Sequence, residues 1–177
     1  ALTFNSWTSG LIAAVGASDI NPGDEVICTP WTMSATAISI LHWFAIPVFA
    51  DIDPKTYNLD IKSVKKLINK KTKAIISVDI FGRSSDQDEL FKFAKKNKLI
   101  LISDTAQAPG SKYNGSYSST KCHMGGFSLN YHKHINTGEG GILITNYKKF
   151  YLKAAYIRNH AEAIVSKNIK KKNLVNL

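Results

Sequence analysis

The segment "LILISDTAQAPG", Leu99–Gly110, decides how the chain folds. Four aliphatic residues and a serine lead to an acid, Asp104, and then to a loop closed by Pro109 and Gly110. Such a run reads as a buried strand ending at a carboxylate. Upstream, "TKAIISVDIFG" (72–82) is a second buried strand by its Ile/Val run. Between them "DQDELFKFAKKNK" (86–98) reads as an amphipathic helix with acids at its start, the end where the helix dipole favours negative charge. Further out, "DEVICTP" (24–30) and "IPVFADI" (46–52) are strands, "SATAISILHWFA" (34–45) is a largely apolar helix, and "LDIKSVKKLINKK" (59–71) sets Ile61, Val64, Leu67 and Ile68 at helical spacing. Alternating strands and helices make an α/β domain with a largely parallel sheet. Beyond Asp104 the pattern changes. "SKYNGSYSS" (111–119) is a hairpin by its Asn-Gly turn, "GGFSLN" (125–130) and "GGILITN" (140–146) are short strands, and "YKKFYLKAAYIRNHAEAI" (147–164) is a closing helix. No repeat, low-complexity linker or domain boundary interrupts the chain.

The 177 residues suffice for one core, and 44% hydrophobic with 20% charged residues is ordinary for a globular protein. The net charge of +10 raises the question of nucleic acid. The lysines are scattered along helical stretches, and only "KNIKKKN" (167–173) is dense, so solvated helix faces are the better reading and no nucleic-acid partner is expected. Cys28 and Cys122 lack metal-ligand spacing and fit a reduced, cytoplasmic setting. The longest apolar stretch, "TAISILHWFAIPVFA" (36–50), is broken by His42 and Pro47 and falls short of the ~20 residues that span a bilayer. No membrane association is expected.

In open α/β sheets, ligands gather at the carboxyl ends of the strands. Asp104 ends one strand, and Lys133 follows "GGFSLN" within "NYHKHINTGEGG" (130–141). The topology therefore brings an acid and an amine toward one pocket. An amine that condenses with an aldehyde, and a carboxylate that keeps a pyridine nitrogen protonated, are what pyridoxal phosphate requires of a protein. Taken alone, Asp104 reads equally well as a cap after a strand.

The order "GDEVICTPWTMSATA", "PVFADIDPKTYNLD", "TKAIISVDIFG", "SDTAQAPGSKYNG", "GGFSLNYHKHINTGEGGILITN" and "IRNHAE" resembles the DegT/DnrJ/EryC1/StrS sugar aminotransferases over nearly the whole chain. The resemblance implies a three-layer α/β/α aminotransferase-like large domain, pyridoxal 5'-phosphate as cofactor, and transfer of an amino group, with glutamate as donor, to a nucleotide-linked keto-sugar in aminosugar and polysaccharide biosynthesis. It implies that Lys133 holds the cofactor covalently, that Asp104 pairs with its ring nitrogen, that Gln107 lies near the ring and its phenolic oxygen, and that Ser128 contacts the phosphate. "NSWTSG" (5–10) matches the phosphate-binding helix start, with Thr8 as the threonine donor. A plain helix N-cap is the other reading of Thr8.

Two positions depart from the family. Trp7 stands where a small residue is usual, which sets a bulky side chain at a close backbone approach. Met33 stands where an aromatic usually stacks on the ring. A thioether packs on an aromatic face, so Met33 is the ring contact, or else an ordinary core methionine, with Trp31 directed elsewhere if the segment is extended or else displaced into the site. His132 and His134 flank Lys133 and either relay protons or shape the turn. A related branch carries histidine in place of the lysine and dehydrates the sugar; counting back from "GEGG" puts Lys133 there, which favours transamination. The role of His160 does not follow from the sequence. "TGEGG" (137–141) reads as a tight turn permitted by its glycines, with Glu139 bonding to it. By the same resemblance, residues 1–177 are the cofactor-binding large domain of a longer chain that works as a homodimer, and an isolated fragment is expected to be inactive.

Overall fold

The computed structural model describes residues 1–160 and Glu162. The basic run at 167–173 and the last part of the segment read as a closing helix lie outside the described residues. Among them no helix is long and apolar enough to cross a membrane.

Five strands run parallel in the spatial order β3 (Ile46–Phe49), β2 (Glu25–Cys28), β4 (Thr72–Val78), β5 (Ile100–Asp104) and β8 (Met124–Ser128). Two antiparallel strands extend this sheet, β9 (Gly141–Ile144) beside β8 and β1 (Leu2–Phe4) beside β9. Successive side chains of a strand point to opposite faces, and here both faces are covered. Val26, Cys28, Ala74, Ile76, Ile102 and Met124 pack on one side with Leu11 of α1 (Trp7–Ala17), Ile40 of α2 (Ala35–Leu41) and Phe150 of α5 (Lys148–Arg158). Ile27, Ile75 and Leu101 pack on the other with Val64 of α3 (Ile61–Leu67) and with Leu90 and Ala94 of α4 (Gln87–Lys96). The result is the three-layer α/β/α arrangement implied by the sequence.

The Asn-Gly hairpin is present as β6 (Lys112–Tyr113) and β7 (Ser116–Tyr117), with Asn114 and Gly115 at φ 45° and 75°, as a type I′ turn requires. The helix expected over 34–45 ends at Leu41. Trp43 instead folds back, its indole nitrogen donating to the Ile12 carbonyl at 2.8 Å, in space left by Gly16, whose Cβ would lie 2.1 Å from that ring. The sequence pattern announces neither β1 nor most of α1. Three residues carry no periodicity, and α1 is buried around much of its circumference, from Leu11 through Ala13, Ala14 and Val15, so it shows no apolar stripe. Both cysteines are buried and unpaired.

Asp79 follows β4 and is fully buried. It accepts from the Ser85 amide at 2.8 Å, and from Gln87 Nε2 and Ser103 Oγ at 3.4 Å. Burial outweighs these donors and lifts its pKa from the ordinary 3.8 to about 6. Between those values the folded chain holds a proton that the unfolded chain has released, so the stability from this group falls as pH rises through that window. Asp79→Asn should remove this decline, worth roughly 3 kcal/mol at most. Denaturation midpoints from about pH 4 to 6 check it; an unchanged slope would place the titration elsewhere.

Candidate active site

The carboxyl ends of β4, β5 and β8 meet the N-terminus of α1 around a cavity of about 290 Å³. Lys133, Asp104, Gln107, Ser128, Thr8, Trp7 and Met33 all line it, so the residues expected to hold the cofactor converge on one space. His132 and Glu139 line it too, whereas Trp31, His134 and His160 do not. A larger cleft of about 740 Å³, bounded by Phe4, Ser9, His42 and Arg158, contains neither a lysine nor an acid.

Asp104 is the buried acid of the cavity. Its Oδ1 accepts from the Trp7 indole at 2.7 Å and from the Ala106 amide at 3.2 Å, and its Oδ2 accepts from the Thr36 hydroxyl at 2.9 Å. Burial raises its pKa, and the donors from Trp7, Thr36 and Ala106 and the nearby Lys133 charge pull it back. Asp104 therefore does cap the turn that follows β5, through the Ala106 amide, and in addition it binds side chains of α1 and α2.

Lys133 sits on the loop between β8 and β9, and the neck of that loop is clamped. Leu129 N donates to the Gly140 carbonyl, Thr137 N to the Leu129 carbonyl, and Asn130 Nδ2 to the Glu139 carboxylate. Inside the loop, Lys133 N donates to the Asn130 carbonyl and His132 N to Asn130 Oδ1, a local turn that presents the lysine. Of the glycines in "TGEGG", Gly138 alone takes a left-handed φ, at 81°. Gly141 serves close approach instead, since a Cβ there would lie 2.4 Å from the Trp7 amide nitrogen.

At the α1 end, Ser6 is the N-cap, its hydroxyl accepting from Ser9 N at 3.1 Å, so Thr8 is not the cap. Thr8 lies in the first turn, where amides have no intrahelical partner and anions are favoured. Ser128 faces it from the end of β8. Gln107 accepts from Phe81 N at 3.0 Å through its Oε1, which leaves its NH₂ as the donor for the cavity. Met33 is 64% exposed at the rim, which excludes a core methionine. Thr36, Thr32 and Asn130 escaped the sequence reading. Thr36 carried one signal, a hydroxyl on the buried side of an apolar helix segment.

The model of the DegT/DnrJ/EryC1/StrS aminotransferase family matches residues 1–175. The chain belongs to this family. GDP-perosamine synthase of Caulobacter vibrioides is 40% identical over 82% of the chain and 39% of its own length. Helicobacter pylori PseC, an aminotransferase of pseudoaminic acid biosynthesis, superposes with a TM-score of 0.86 at 36% identity, over 90% of this chain and 43% of PseC. The E. coli GDP-4-keto-6-deoxy-D-mannose-3-dehydratase, solved with bound hydrated PLP, superposes with a TM-score of 0.84 at 30% identity, over 90% and 43%. The chain thus spans about two fifths of the length of the family members it matches.

Thr36→Val keeps the shape of the side chain and removes its donor. Where Asp104 is ionised it should cost about 1.5–3 kcal/mol, the range for a hydrogen bond to a charged group. The cost should shrink as acid protonates Asp104, because the bond serves the ionised form. A urea titration at two pH values checks this; a pH-independent cost would mean that the hydroxyl matters only for packing.

Proposed function

We propose that the protein is a pyridoxal phosphate-dependent aminotransferase that moves an amino group, from glutamate as donor, onto a nucleotide-linked keto-sugar for aminosugar and polysaccharide synthesis in the cytoplasm. One observation carries this reading: the amine of Lys133 and the buried carboxylate of Asp104 share a cavity with the hydroxyls of Thr8 and Ser128. Those groups fit the cofactor. Lys133 is the only lysine lining the cavity among the described residues, Asp104 is its buried acid, and the first turn of α1 offers amides to a phosphate. When bound, the cofactor supplies an electron sink for a carbanion at the donor α-carbon.

The residues divide the work. Asp104 holds positive charge at the ring nitrogen, which the sink requires. Lys133 Nζ would anchor the cofactor and, when free of it, would serve as the base at the donor α-carbon. Gln107, whose Oε1 is taken by the Phe81 amide, would offer its NH₂ to the cofactor's ring oxygen. Met33, at the rim, would cover a ring face, and the backbone of Trp7 with Thr8 and Ser128 would hold the phosphate. Residues 1–177 are the cofactor-binding large domain, and the enzyme is a homodimer. The apolar side chains Trp31, Ile38, Leu41, Phe44 and Phe49 are exposed on and around α2 and β3 and suit a partner surface. The dehydratase among the neighbours marks the competing reaction, and Lys133, where that branch carries histidine, favours amination.

The test offers the intact enzyme a panel of nucleotide keto-sugars with glutamate. Amination of one of them is expected; loss of a hydroxyl without nitrogen transfer would overturn the reading. Lys133→Ala should abolish transfer while moving stability by less than about 0.5 kcal/mol, as for surface substitutions. Asp104→Asn should lower kcat by about 10²-fold or more, an electrostatic loss of the size seen when a preorganised charge contact is removed. Near-normal turnover in either variant would displace that residue from its role.

A further inference from the structure

Trp7 departs from the small residue usual at its position, and the surrounding chain is shaped to take it. Its side chain turns inward and is 4% exposed. A Cβ on Gly126 would lie 2.2 Å from its ring, and one on Gly10 2.8 Å. The space for the indole therefore exists only because glycine occupies both positions. The indole ends on Asp104 Oδ1 at 2.7 Å, short for an N–H···O bond and typical of a charge-assisted one.

Counting acceptor sites makes this contact selective. Each carboxylate oxygen takes about two donors. Oδ1 has two, from Trp7 and Ala106, while Oδ2 has one, from Thr36. We propose that Trp7 is a positioning residue that fills Oδ1 and turns the Asp104 carboxylate so that Oδ2 alone receives the cation of the bound ring. This rests on the aminotransferase reading for the identity of that ring, but the Trp7–Asp104 contact exists without it. The charged groups facing Asp104 are Lys133 from the loop and Asp79 from the end of β4. Without the indole donor, the ionised carboxylate loses a partner and Oδ1 opens as a second acceptor. The ring nitrogen then has two geometries to choose from.

The test begins with the cofactor-free protein. Of three tryptophan indole signals in a proton–nitrogen correlation spectrum, the one lost in Trp7→Phe should lie downfield of the others and move upfield in Asp104→Asn. In the loaded enzyme, Trp7→Phe keeps an aromatic ring, should lower kcat on the order of tenfold, and should move the acid limb of the kcat profile to higher pH, because a carboxylate with one donor fewer is easier to protonate. A purely structural role would lower activity equally at all pH. A Trp7 indole signal at an ordinary position, unmoved by Asp104→Asn, overturns the proposal whether or not the enzyme transfers amines. So does an acid limb that stays in place. Failure of amine transfer with an indole signal that does respond to Asp104→Asn would instead count against the aminotransferase reading and uphold the Trp7–Asp104 contact.

Discussion

A carboxylate shut away from water needs donors from the protein, and Asp104 draws them from distant parts of the chain. Trp7 on α1 and Thr36 on α2 reach it across 97 and 68 residues. Removing one partner of a buried charge is far more costly than the pair is worth, because the other is left unanswered. This condition ties the start of α1, the first turn of α2 and the carboxyl end of β5 into one rigid wall. Rigidity matters at such a wall, since a charge contact accelerates chemistry only when it is oriented before the substrate arrives.

The rest of the cavity is arranged around that wall by backbone proximity. Gly126 and Gly141 on neighbouring strands let α1 lie so close to the sheet that its first amides and the Lys133 loop open onto the same space. The loop contributes little to the core, but its neck is held by backbone bonds and by the Asn130–Glu139 pair. A lysine on such a loop can change partners during turnover without disturbing the sheet. The acid is fixed in the core and the amine is hinged at its edge.

The parallel sheet was legible because strands buried on both faces must be apolar throughout, and the Ile/Val run of β4 and the Ile/Leu run of β5 say so directly. Asp104 and Lys133 were legible because strand ends bring ligands together, and Gln107, Ser128 and Thr8 through the resemblance. The partners of Asp104 were not. Their contacts are non-local, and a tryptophan or threonine that packs inward reads like any core residue. α1 was hidden because burial on several sides erases the periodicity that announces a helix. The steric conflict expected at Trp7 dissolves because Gly10, one turn along α1, and Gly126, on β8, leave room for its ring, and the second is visible only in three dimensions. Met33, open at the rim, shows the converse: its exposure, not its composition, separates a cavity residue from a core one.

The proposed reaction depends on Lys133 as the amine that the cofactor engages. The most direct measurement incubates the intact protein with pyridoxal phosphate, reduces it with borohydride, digests it, and locates the modified peptide by mass spectrometry. A single pyridoxyl label on the lysine between His132 and His134, absent in Lys133→Ala, is the expected result. A label on another lysine, or none on this one under conditions where the cofactor binds, would contradict it.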